Sequence, residues 1–117
     1  MEQLLHYVWK HKIFPLSALQ TTSGRPVEVI DPGLPNMNAG PDFFNAKLKI
    51  DGTLWVGNVE VHTQASDWLL HRHDRDKAYD TVILHVVGES NCDVYRTNGE
   101  LVPQMVLTCP RHCPLAL

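Results

Sequence analysis

The dipeptide Asp51-Gly52 narrows the fold of this chain more than any other feature of its sequence. Before it, Phe44-Asn45-Ala46-Lys47-Leu48-Lys49-Ile50 alternates apolar Ala46, Leu48 and Ile50 with Lys47 and Lys49; after it, Thr53 to His62 continues as a second strand-forming run. Asp-Gly supplies the positive φ values that a two-residue turn requires, so the runs are predicted to pair as an antiparallel hairpin with one buried face. With the turn fixed there, Ile50 lies opposite Thr53, Phe43 opposite Glu60, and Asp42 beside Val61. A further run, Thr81-Val82-Ile83-Leu84-His85-Val86-Val87, is almost continuously apolar, as expected of a strand covered on both faces at the centre of a sheet.

The other elements are short. Leu5, Val8 and Trp9 share one face of a predicted helix over Glu2 to Lys10, which closes before Pro15. Ser23-Gly24 reads as a hairpin turn between Leu19-Gln20-Thr21-Thr22 and Pro26-Val27-Glu28-Val29-Ile30, and Asn98-Gly99 as another between Asp93-Val94-Tyr95-Arg96 and Leu101 to Leu107. Asp31-Pro32-Gly33 stops a strand and opens an irregular loop through Gly40-Pro41. Ser66 is an N-cap for a short helix over Asp67 to Leu70, followed by a charged, histidine-rich loop from His71 to Lys77. The fold class that follows is α/β or α+β, a mixed and mainly antiparallel sheet with an N-terminal helix and few short helices.

At 117 residues, 44% of them hydrophobic and 20% charged, the chain has the content of a single domain, 1–117. Such a domain buries about two thirds of its surface. The apolar end Pro114-Leu115-Ala116-Leu117 completes no recognisable element, so the expectation is a portion of a longer protein. A net charge of −3 argues against a nucleic-acid binder driven by global positive charge and leaves room for a local basic groove. No apolar run approaches the ~18 residues of a bilayer span, and no basic-then-apolar leader opens the chain, so a cytoplasmic protein without a membrane partner is expected. The Cys count, 3, does not suit a disulfide framework. Cys109-Pro110-Arg111-His112-Cys113 has ligand types but no second pair of cysteines to complete a zinc site. Phosphate-cradling glycine motifs and a nucleophile elbow are missing, which leaves nucleotide-driven and serine-hydrolase readings without support.

Chemistry concentrates in two places. On a strand, Glu60 and His62 face one side while Val59 and Val61 face the other, and the hairpin register puts Asp42 diagonal to both, within the roughly 7–8 Å of such neighbours. Two carboxylates with open positions suit an oxygen-loving divalent ion, and an adjacent His can orient or deprotonate water. The plain alternative is a turn carboxylate beside a solvated strand face. The second cluster is Asp67, His71, His73, Asp74 and Asp76 with Arg72, Arg75 and Lys77 interleaved. It reads either as a solvated loop with local ion pairs that adds little to stability, or as the rim of the Asp42–Glu60 site, with His71, Arg72, His73 and Arg75 as substrate-binding residues: Arg72, Arg75 and Lys77 touch phosphates, and His71 or His73 protonates a leaving oxygen. His85 sits in the most apolar strand and reads as a core histidine with its hydrogen bonds satisfied. Trp9, Trp55 and Trp68 read as packing residues, Trp68 also as a platform for a base.

Pro41-Asp42 followed by Glu60-x-His62 resembles the PD-(D/E)XK nuclease pattern, with His62 where that pattern carries Lys. The resemblance implies a restriction-endonuclease-like core, a central sheet flanked by helices. It also implies Mg²⁺ or Mn²⁺ held by Asp42 and Glu60, and phosphodiester hydrolysis on DNA with His62 positioning the water. A longer run resembles an uncharacterised bacterial family known only as a domain of unknown function. It extends from Pro26-Val27-Glu28-Val29 through Asn38 to Phe43, Gly57 to His62, Ser66-Asp67-Trp68 and Tyr79 to Val86. Members of that family are longer, and this chain resembles an N-terminal portion of one.

The leading functional expectation is a Mg²⁺- or Mn²⁺-dependent nuclease-like domain, active or degenerate, with Asp42, Glu60 and His62 as its catalytic residues. The alternative is a non-catalytic β-rich binding or assembly module of a longer bacterial protein. A zinc protein built on the histidine loop ranks third.

Overall fold

The structure, a computed structural model, describes residues 1–14 and 18–108. The Cys109 to Cys113 motif lies outside the described residues. Helix α1 (Glu2–Lys10) forms where the apolar spacing places it and buries Leu5, Val8 and Trp9. The chain continues through β1 (Val27–Asp31), β2 (Leu34–Pro35), β3 (Phe43–Ile50), β4 (Thr53–Gln64), α2 (Asp67–Leu70), β5 (Val82–Glu89) and β6 (Gln104–Val106). Two single turns of 3₁₀ helix, His73–Arg75 and Lys77–Tyr79, link α2 to β5. The strands form a 6-stranded sheet in the order β1-β3-β4-β5-β6, with β2 also pairing β3.

The sheet is mixed, as expected. β1, β2, β3 and β4 pair antiparallel, whereas β5 runs parallel to β4 and β6 parallel to β5. The apolar run is buried on both faces from Val82 to Val87, yet it lies one place off centre, because β4 holds the middle position. The Asn98-Gly99 segment makes a turn closed by one bridge, Tyr95 to Leu101, rather than a full hairpin. Its second arm leaves instead to join the sheet edge as β6, and Val102, Met105 and Leu107 are buried along it. Ser23-Gly24 likewise turns between a single bridged pair, Gln20 and Pro26. Ser66 precedes α2 but makes no side-chain cap; its hydroxyl accepts from Asn91 instead.

The hairpin turns at Asp51-Gly52 with φ of 53° and 80°. From Ile50↔Thr53 to Ala46↔Gly57 the register is the expected one, and then it slips by one residue, so that Phe43 faces Val59 instead of Glu60. The cause is a β-bulge at Phe44-Asn45, where Asn45 adopts φ 58°. Gly33 (φ 95°) lies against this bulge, and a Cβ there would approach the Phe44 carbonyl oxygen to 2.8 Å and the Ala46 nitrogen to 3.2 Å. The slip brings Asp42 level with Glu60.

Alternation along β4 divides the interior. Val59 and Val61 point to the face covered by α1, where they join Leu5, Val8, Trp9, Leu84, Val86 and Met105. The opposite face carries Glu60, His62, His85 and the smaller cluster around Trp68, Val87 and Val102, beneath α2 and the 3₁₀ turns. Helical elements thus cover both faces. Among the described residues no helix is long and apolar enough to cross a membrane.

Because Gly33 combines a positive φ with a backbone atom in the way of a side chain, Gly33→Ala is expected to cost about 1–3 kcal/mol. Gly24→Ala, at φ 84° with nothing within 4 Å, is the control and is expected to cost less. Thermal melting of the two variants side by side checks the ranking; equal losses would show that the bulge is not held by this contact.

Candidate metal centre

The bulge sets Asp42 and Glu60 side by side at the same end of the hairpin. The Asp42 backbone N–H donates to Glu60 Oε1 at 3.1 Å, and the Val61 N–H donates to Asp42 Oδ2 at 2.8 Å. Asp42 keeps partial contact with solvent, whereas Glu60 is only 4% exposed. His6, from α1, brings its Nε2 to 3.5 Å from Asp42 Oδ2. Among the described residues, the only basic side chains at ion-pair distance from Glu60 are His73 at 3.0 Å and His62 at 3.3 Å, both from Nε2 to Oε2. A buried carboxylate with no Lys or Arg beside it is costly, and the costs favour its neutral form or a bound cation.

A row of polar groups crosses the sheet from this point. Parallel pairing places Glu60 beside His85 and His85 beside Gln104. Gln104 Nε2 donates to the Cys92 carbonyl at 3.0 Å and to Ser90 Oγ at 2.8 Å. Since a carbonyl only accepts, the amide orientation is fixed and Gln104 Oε1 faces His85 Nδ1 at 2.8 Å. His85 Nδ1 must then carry the proton, which leaves Nε2 as an acceptor 2.7 Å from His62 Nδ1. His62 therefore carries its own proton on Nδ1 and directs the lone pair of Nε2 toward Glu60 and toward His71 Nδ1, 3.3 Å away. His85 is the satisfied core histidine that its apolar strand suggests. No sequence signal marked His6 or Gln104.

The histidine loop divides in two. His71, Arg72 and Arg75 are exposed, the last two flanking a shallow depression of about 370 Å³ with Leu69 and Asp74. His73 departs from the solvated-rim expectation: it is 6% exposed, stacked on Tyr79 with ring centroids 3.6 Å apart and edge-on to Trp68. Its aromatic packing makes it part of the interior, out of reach of a substrate backbone. Trp68 is fully buried among His73, His85 and Tyr79, so it offers no face to a base. One nitrogen from each of His62, His71 and His73 lies within 4.8 Å of the others.

The electrostatics follow from burial. Glu60 is pushed far above the ordinary carboxyl range, first by desolvation and then by the charge of Asp42. Desolvation lowers His62 to about 2, helped by the neighbouring rings of His85, His73 and His71. It lowers His73 to about 4, with His71 adding to the effect, and His85 to about 4 against the opposing bond to Gln104. A His62 held so low is a weak proton acceptor at neutral pH, though its lone pair stays available.

The chain matches, over residues 2–113, the model of a family described as "Protein of unknown function (DUF2851)". It belongs to this family. Comparisons with curated proteins and with solved structures gave no match. The DUF2851 match spans every residue of the centre, from His6 on α1 to Gln104 on β6.

These shifts set the pH dependence of the metal-free protein. Each buried histidine has a folded value below its ordinary 6.5, so its contribution is present above that pH and is lost as the pH falls toward the folded values. Glu60 acts oppositely: its contribution is present below its ordinary 4.5 and is lost as pH rises toward its elevated value. Stability in the presence of chelator is expected to peak at roughly pH 6.5–7, and Glu60→Gln is expected to remove the alkaline decline while leaving the acid one. Calorimetric melting from pH 5 to 9 measures this; an unchanged alkaline limb in the variant would contradict the assignment.

Proposed function

We propose that this domain is a metal-dependent phosphodiester hydrolase acting on DNA, with its cation at Asp42 and Glu60. The observation that carries the reading is the buried Glu60 carboxylate, set against a second carboxylate and, among the described residues, with imidazoles as the basic groups at ion-pair distance. Two adjacent carboxylates form an oxygen-rich donor set that fits Mg²⁺ or Mn²⁺, and a bound cation offsets the desolvation and the repulsion that otherwise keep Glu60 protonated. Further support comes from the mixed sheet with helical elements on both faces and from the placement of Asp42 opposite Glu60-x-His62, which is the arrangement that the PD-(D/E)XK resemblance implies.

When bound, such a cation stabilises charge on a phosphoryl oxygen and lowers the pKa of water. The residues of the chain supply the rest. Asp42, the more exposed carboxylate, lies where the centre opens to solvent. His62 holds an acceptor lone pair toward the carboxylates and orients water without needing to take up its proton. Arg72 and Arg75, exposed on the loop that carries His71 and His73, attract the phosphate backbone, and exposed His71 lies 3.3 Å from His62.

The purified chain is expected to cleave plasmid or single-stranded DNA with Mn²⁺ or Mg²⁺ and to lose this in chelator. Glu60→Gln and Asp42→Asn are each expected to reduce the rate by more than the roughly 10–100-fold that loss of an outer partner costs at a metal site. Cleavage that survives Glu60→Gln, or no cleavage with either cation, would overturn the hydrolase reading.

A further inference from the structure

The imidazoles around Glu60 exceed what an oxygen-binding cation needs. Mg²⁺ takes oxygen ligands and keeps several waters, whereas imidazole nitrogen suits first-row transition metals, Zn²⁺ above all. Here the nitrogens of His62, His71 and His73 converge within 4.8 Å. His62 Nε2 and His71 Nδ1 face one another at 3.3 Å, with Glu60 Oε2 at 3.3 Å from the first. Two imidazole nitrogens so placed need a proton or a cation between them.

We propose that His62, His71 and His73, adjoined by Glu60, form a binding site for a transition metal of the Zn²⁺ class, and that Gln104 and His85 are the positioning residues that aim His62 into it. The proposal rests on the metal-dependent reading above and narrows it, changing His62 from a group that orients water into a ligand. The hydrogen-bond chain carries the argument. Cys92 and Ser90 fix the Gln104 amide; Gln104 fixes the proton of His85 on Nδ1; His85 fixes the proton of His62 on Nδ1. The only open lone pair of this buried row then points at the site. A metal-bound histidine ordinarily donates its other ring N–H to a fixed acceptor, and His85 Nε2 is that acceptor. His71 contributes from the exposed side and gives the metal its path from solvent.

The test uses the full chain freed of metal and titrated with Co²⁺ and Zn²⁺. Expected are Co²⁺ visible bands of four-coordinate character, displacement of Co²⁺ by Zn²⁺, and no displacement by excess Mg²⁺. His71→Ala, at an exposed position that leaves the core intact, is expected to weaken Zn²⁺ binding at least tenfold, with recovery in His71→Cys because thiolate is also a zinc ligand. For the positioning residues, long-range ¹H–¹⁵N spectra of the metal-free chain are expected to show His62 and His85 protonated on Nδ1; protonation of His62 on Nε2 would overturn their role. If His71→Ala binds Co²⁺ with unchanged affinity and spectrum while Mn²⁺-dependent cleavage persists, the imidazole site fails and the hydrolase reading stands. If Co²⁺ binding depends on His71 and no DNA is cut, the imidazole site stands and the hydrolase reading fails.

Discussion

The carboxyl group of Glu60 is the constraint around which this domain is arranged. It lies at the middle strand of the sheet, almost wholly removed from water, with Asp42 beside it and with histidines as its only basic neighbours among the described residues. Desolvation alone makes an anion there unfavourable, and Asp42 makes it more so. Nothing in the surrounding apolar packing requires an acid at this position. An acid so placed weakens the fold unless its charge is relieved, and a proton or a bound cation relieves it.

The environment of Glu60 is directed rather than merely polar. Parallel pairing of β4, β5 and β6 lines up Glu60, His85 and Gln104 across three strands, and the donors and acceptors run one way along the row. The direction begins at the Cys92 carbonyl, a group that can only accept, and ends at His62 Nε2. Because the row is buried, breaking one bond leaves a donor or acceptor without water to replace its partner, so the tautomers are held together as a set. Trp68 and Tyr79 close the site from above, with Tyr79 stacked on His73. The hydrogen bonds fix which nitrogen is open, and the aromatic packing fixes where the rings sit.

Local chemistry was legible in the sequence, and long-range pairing was not. Leu5, Val8 and Trp9 gave away α1 through their spacing, and Asp51-Gly52 gave away the β3–β4 hairpin through its turn chemistry. The register built from that turn placed Asp42 near Glu60 but missed the one-residue slip, because the bulge at Asn45 packs against Gly33, a residue beyond the hairpin. His85 was recognisable as a buried, bonded histidine from its apolar strand; its partner His62 was not, since that contact exists only once β4 and β5 run parallel. His73 looked solvated among Arg72, Asp74 and Arg75, and its burial comes from Tyr79 and Trp68, brought over it by turns too short to leave a periodic signal. Gln104 sits in an apolar stretch with nothing to mark it, and only the sheet discloses what its amide controls.

The measurement that bears most directly on this account is anomalous diffraction from crystals of the chain grown with Zn²⁺ or Mn²⁺, recorded at the absorption edge of the metal. The account predicts a peak beside Glu60, with His62 Nε2 and a Glu60 carboxylate oxygen about 2.0–2.2 Å from it and the His62–His85–Gln104 bonds kept. No anomalous peak beside Glu60, with Glu60 remaining a neutral acid bonded to His73, would contradict it.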